Sequence, residues 1–231
     1  MSIMSSRPYQ LLVFDWDGTL MDSAARIVSC LRGAIADTGA EDRDEHALRD
    51  IIGLGLEEAI ATLYPGSDAG FVHEFRTAYR VHFLERDATP SALFPGMAEL
   101  LADLESAGYW LAVATGKSRP GLERVLEETG LGRHFLATRC ADETFSKPHP
   151  AMLNEIMDEL GLMPADTLMI GDSEYDMLMA SNAGTDRLGV TYGVHGGQRL
   201  ARHAPVALMD DLRHLPQWLS GSGKGELGSA K

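Results

Sequence analysis

The chain has 231 residues, 45% of them apolar and 23% charged, enough for one large core domain with a modest insertion. A formal net charge of −14, with no local basic stripe, excludes nucleic acid as a partner. No stretch approaches the ~20 apolar residues of a membrane span, so membrane partners are excluded as well.

Met1–Gln10 carries no apolar run of signal-peptide length. The cysteines, Cys30 and Cys140, lack metal-ligand spacing and fit buried thiols in a reduced compartment. A cytoplasmic location is expected.

In chain order, the apolar run Leu11–Phe14 predicts a buried strand. From about Asp22 to Leu93 helical periodicity continues through Ile27, Leu31, Ile60, Leu63, Phe71, Phe75, Tyr79 and Phe83, without a convincing strand. Beyond it, strands are predicted at Trp110–Ala114, Leu168–Ile170 and Leu188–Val190, with a weaker one at Val206–Met209. Helical patterns occupy Pro95–Ala107, Arg119–Thr129, Ala151–Leu160 and Tyr175–Asn182, ending near Gly108, Gly130, Gly161 and Gly184. This alternation implies a doubly wound, Rossmann-like parallel sheet interrupted by an all-helical insertion. Residues 220–231, rich in Gly, Ser and Lys, are expected to be disordered.

Ligands of an open parallel sheet bind beyond the carboxyl ends of its strands. There stand Asp15-Trp16-Asp17-Gly18-Thr19, Thr115-Gly116-Lys117-Ser118 and Gly171-Asp172-Ser173-Glu174-Tyr175-Asp176, with Lys147 on a nearby loop. Asp15, Asp17 and Asp172 in one crevice repel. Either one stays protonated or a cation sits among them, and an all-oxygen set suits Mg²⁺ better than zinc. Thr115 and Gly116 end a strand and open a helix, a ready anion site. A nucleotide-triphosphate loop is rejected because Leu111 stands where its first glycine must be. A calcium loop fails because Met177 replaces the required glycine.

These segments, in this order, resemble the signatures of the haloacid dehalogenase-like hydrolases: Asp15-Trp16-Asp17-Gly18-Thr19, Thr115, Lys147-Pro148, and Gly171-Asp172 with Asp176. The phosphoglycolate-phosphatase-like branch is the most similar. The resemblance implies a discontinuous α/β core domain (1–21 and 94–219) and a helical cap domain (22–93). It implies Mg²⁺-dependent hydrolysis of a small phosphorylated metabolite through an aspartyl-phosphate. Asp15 would be the nucleophile and Asp17 the acid, then the base. Gly18, Thr115, the Gly116 amide and Lys147 would surround the phosphoryl group. The metal would take Asp15, the Asp17 carbonyl and Asp172, with Asp176 outside orienting Lys147 or a bound water.

A metal-free 2-haloacid dehalogenase would not need Asp17. A sugar-phosphate mutase of this family resembles its relatives in carrying an arginine where Leu56 follows Gly53, and a non-enzymatic binding module would have lost a core position. Arg49, Arg76 and Arg80 are the cap candidates for specificity. Trp16 is expected to point away from the phosphate and pack, and the protein to be a monomer or homodimer.

Overall fold

The computed structural model describes residues 8–222 of the chain. Strand β1 (Leu11–Phe14) leads through a tight turn to a two-residue strand, β2 (Met21–Asp22). Four helices follow: α1 (Ala24–Thr38), α2 (Glu45–Asp50), α3 (Leu56–Leu63) and α4 (Ala69–Val81), the last running into a π turn at His82–Arg86. The insertion then closes on β3 (Ala92–Leu93), antiparallel to β2 with Met21 opposite Leu93 and Asp22 opposite Ala92. Strands of two residues show no periodicity, so this ribbon has no signature in the sequence.

After it come α5 (Met97–Ser106), β4 (Trp110–Thr115), α6 (Arg119–Thr129), β5 (Ala137–Cys140), α7 (Ala151–Leu160) and β6 (Thr167–Gly171). The chain continues with α8 (Glu174–Ala183), β7 (Asp186–Val190), α9 (Gly197–Ala201), β8 (Ala207–Met209) and α10 (Leu215–Ser222). The six-stranded sheet has the order β5-β4-β1-β6-β7-β8 and is parallel at every pairing. Strand β5 was not expected: the two central residues of its edge segment, Thr138 and Arg139, are half-buried, so it shows no apolar run. Helix α10 extends to Ser222, three residues into the stretch expected to be disordered; residues 223–231 lie outside the described residues.

Successive strand residues feed opposite faces of the sheet, as the period of two requires. Leu12 and Phe14, with Leu111, Val113, Leu168 and Ile170, pack toward α5, α6 and α10. Leu11 and Val13, with Ala112, Ala114 and Met169, pack toward α7 and α8. Trp16 is fully buried in the first layer, edge-on to Phe135, a packing position as expected. The helices of the insertion assemble a separate apolar cluster around Leu31, Ile60 and Phe75. The fold is thus a doubly wound parallel core carrying an inserted helical cap. Strand order reverses direction on either side of β1, which puts the ligand crevice at the carboxyl end of that strand. Cys30 and Cys140 are free and buried, and among the described residues no helix is long and apolar enough to cross a membrane.

Candidate active site

Asp15 follows β1 directly, its N–H donating to the Ile170 carbonyl at 2.9 Å, so its position is set by the sheet. Its carboxylate is 1% exposed. Lys147 Nζ, with no exposed side-chain surface, stands 2.7 Å from Asp15 Oδ1 and 2.6 Å from Asp176 Oδ1. Burial alone would lower the Lys147 pKa, but the two carboxylates outweigh it and push it up. Asp176 also closes the first turn of α8: its Oδ2 accepts from the Ser173 N–H at 3.0 Å and from the Ser173 hydroxyl at 2.6 Å.

Asp172 sits beyond β6 with Oδ1 accepting from the Thr19 hydroxyl at 3.0 Å and Oδ2 from the Val194 N–H at 2.8 Å. Two glycines let the chain approach it. A Cβ on Gly18, whose φ is +80°, would stand 2.1 Å from Asp172 Oδ2, and one on Gly193 would stand 2.2 Å from it. Carboxylate oxygens of Asp15, Asp172 and Asp176 all lie within 4.8 Å of one another. Burial first, then the charge of Asp176, pushes the Asp172 carboxyl up to about 7. Burial likewise drives Asp15 well above the usual carboxylate range despite Lys147, with Asp176 and Asp172 adding to the rise.

Asp17 projects elsewhere. Its Oδ1 accepts from the Ser23 hydroxyl at 2.5 Å and pairs with Lys117 Nζ at 2.8 Å. The Lys117 ammonium also lies 4.9 Å from the center of the Phe83 ring. At the end of β4, Thr115 is buried and its hydroxyl oxygen accepts from the Lys117 N–H at 3.2 Å, which leaves the hydroxyl proton free to donate.

The cap reaches this site through the loop after α2. A Cβ on Gly116 would meet the Leu54 carbonyl at 2.4 Å and that of Gly53 at 2.7 Å. The Gly55 N–H donates to Ser146 Oγ at 2.7 Å, next to Lys147. On the other side, Asp50 receives the Tyr175 hydroxyl at 2.9 Å on its carbonyl and Arg199 on its carboxylate. His195 Nε2 lies 3.2 Å from the same carbonyl, while its Nδ1 accepts from the Glu174 N–H at 2.9 Å. Between cap and core is a cavity of about 440 Å³ that includes Asp15 and Asp17 in its lining. Of the three arginines singled out as specificity candidates, Arg76 and Arg80 line it, whereas Arg49 does not and pairs with Glu45 on its own helix.

The residues fit a hard divalent cation. Asp15 Oδ2 is buried without a hydrogen-bond donor, the surrounding donors are all oxygens, and carboxylates raised by burial and mutual repulsion would be relieved by added positive charge. Sequence reasoning missed Thr19 and Val194 as holders of Asp172, and read Lys117 only as a helix-opening residue. It also missed the Asp50, Tyr175, His195 and Arg199 cluster. These ties join residues far apart in the chain, and no spacing rule announces them.

A family model described as haloacid dehalogenase-like hydrolase matches residues 12–190. A protein of Dickeya dadantii (strain 3937) named Probable phosphatase IndB is 37% identical over 211 residues, covering 89% of this chain and 91% of that one. Phosphoglycolate phosphatase of Vibrio vulnificus (strain CMCP6) is 30% identical over 220 residues, 92% of this chain and 96% of that one. A solved structure from Bacteroides fragilis, described as a haloacid dehalogenase-like hydrolase, matches with a TM-score of 0.84 at 28% identity, covering 90% of this chain and 99% of that one. With the matched residues running from β1, which presents Asp15, to β7, beyond Asp172, the chain belongs to the haloacid dehalogenase-like hydrolases and is a phosphatase of that family.

Proposed function

We propose that this phosphatase is Mg²⁺-dependent and hydrolyzes the phosphomonoester of a small metabolite by way of an aspartyl-phosphate on Asp15. The observation that carries the reading is a buried carboxylate at the sheet's switch point, one oxygen held by Lys147 and the other without a donor, opening on a cavity under the cap. Mg²⁺, held by Asp15, Asp172 and the Asp17 carbonyl, would supply positive charge for the transferring phosphoryl group.

Asp15 attacks phosphorus as the ester oxygen leaves. Asp17 has Oδ1 occupied by Lys117 and Ser23, which reserves Oδ2 for the proton it gives to that oxygen. In the second step Asp17 takes a proton from the water that attacks the aspartyl-phosphate, releasing inorganic phosphate. The Thr115 hydroxyl and the Gly116 N–H donate to phosphoryl oxygens, and Lys147 favors the ionized form of Asp15 against its burial and holds it in line. Residues 22–93 act as the cap, turning on hinges near Met21 and Phe94–Pro95 and excluding water when closed. Phosphoglycolate, the substrate in the names of several relatives, heads the panel of phosphomonoesters to be assayed with and without Mg²⁺. Full turnover in excess chelator would overturn the metal dependence.

The two acids after β6 are expected to behave differently in a Mg²⁺ titration of activity. Asp176 Oδ2 already accepts two donors and Oδ1 holds an ammonium, whereas each oxygen of Asp172 accepts one donor and keeps a lone pair. Asp176→Ala should raise the half-saturating Mg²⁺ concentration by about 10–100-fold, as loss of an outer partner does. Asp172→Ala should raise it further. Equal shifts would show that the two roles are wrongly divided.

A further inference from the structure

The cavity above Asp15 is larger than its chemistry alone requires. At about 440 Å³ it falls in the range that encloses a drug-sized ligand, far more room than a two-carbon phosphate ester occupies. Its walls away from the strand ends include an apolar patch: Ile27 and Leu31 from α1, Ile52 and Leu54 from the cap loop, and Tyr79 and Phe83, whose rings stack at 5.9 Å and 17°. A ring-sized apolar body buried there gains transfer free energy that a short polar alcohol does not.

Among the described residues that line the cavity, Glu58 and Arg80 are the charged side chains with neither an ion pair nor a hydrogen bond. Asp15 is matched by Lys147, Asp17 by Lys117 and Glu57 by Arg76. Asp142 accepts the Arg119 N–H at the start of α6 at 2.8 Å. Glu58, the third residue of α3, turns back over that helix's N-terminus, its Oε2 standing 2.6 Å from where a Gly55 Cβ would be, and the helix dipole favors an acid there. Arg80 lines the same cavity one helical turn beyond Arg76 and, among the described residues, has neither an ion pair nor a hydrogen-bond acceptor. Arg80 is exposed, and an arginine without a partner at the edge of a substrate cavity has an anion as its natural complement.

We infer that the substrate's alcohol portion is a ring-sized apolar body bearing an anionic group at its far end, and that Arg80 is the specificity-determining residue that receives that group. The inference rests on the phosphomonoesterase reading above and narrows it. Phosphoglycolate meets the charge requirement and leaves the apolar walls unfilled.

The test compares kcat/KM for 3- and 4-carboxyphenyl phosphate with that for the matching carbamoylphenyl phosphates, whose ring substituent is neutral and of the same shape. The wild-type enzyme should favor the better carboxylate over its amide by roughly tenfold, the effect of one charge-assisted hydrogen bond, and should turn it over more efficiently than phosphoglycolate. Arg80→Gln should bring that ratio to within about twofold of one, while Arg49→Gln, which does not line the cavity, keeps it. A wild-type ratio near one at both ring positions, or a ratio that survives Arg80→Gln, overturns the inference. If Arg80→Gln loses both esters, Arg80→Lys decides: a preserved ratio supports the charge reading and a ratio near one overturns it. Absence of turnover on every ester with Mg²⁺ present would instead sink the phosphomonoesterase reading, and the inference with it.

Discussion

Asp15→Asn is expected to abolish turnover and covalent labeling together, because an amide cannot form the phosphoenzyme. Asp17→Asn separates the two half-reactions. With an alkyl ester, whose leaving oxygen must be protonated, the first step fails. With acetyl phosphate, whose leaving group needs little protonation, Asp15 can still be phosphorylated, while attack by water is slowed by roughly the 10²–10⁴-fold usual for loss of a general base. Rapid acid quench followed by mass spectrometry of Asp17→Asn should therefore find one phosphoryl group on Asp15. The geometry suits this division: Asp15 faces Lys147 and the acid cluster, while Asp17 is turned to Lys117 and Ser23. A label on another residue would move the nucleophile there, and residual turnover by Asp15→Asn without a label would mean that water attacks the ester directly and no aspartyl-phosphate forms.

Removing Lys147 should be nearly as severe, and for stability as well as rate. Its ammonium is the shared counter-charge of two fully buried carboxylates. Deleting one member of such a group leaves uncompensated buried charge, a loss of about 3–5 kcal/mol. Lys147→Ala should therefore unfold at markedly lower urea than the wild-type protein when both are measured in chelator. Turnover should fall by about 10²–10³-fold through loss of an electrostatic donor at the reacting group. If Lys147→Ala matches the wild-type urea midpoint in chelator, the buried pairing contributes nothing and Lys147 acts on substrate alone.

The strand-end positions of Asp15, Thr115 and Asp172 were legible because short apolar runs stop abruptly at polar residues, and the sheet gathers those stops at one edge. The glycine-ended helices were legible for a similar local reason: Gly130, Gly161 and Gly184 each take a left-handed conformation as helix caps. Strand β5 was not legible, since pairing along β4 holds it and its own side chains carry no pattern. Lys117 was hidden by its surroundings. Next to Gly116 at a helix start it reads as a surface lysine, but Asp17 and Phe83 bury it from two other segments. Helix phase separates the candidate arginines: Arg76 and Arg80, four apart on α4, share a face, while Arg49, which does not line the cavity, lies on a helix too short to show a phase.

The ribbon of β2 and β3 has a consequence for how such an enzyme can change over time. Because Met21 pairs with Leu93 and Asp22 with Ala92, the chain leaves the core and returns to it at adjacent points. Everything from α1 to the π turn therefore hangs from a single doorway. Exchanging that whole segment for one of a different length would leave the strand order as it is, and closing the doorway costs little more entropy for a long insert than for a short one. The ribbon makes the insertion a replaceable module, open to exchange by recombination at two neighboring positions while the sheet and its acids stay in place.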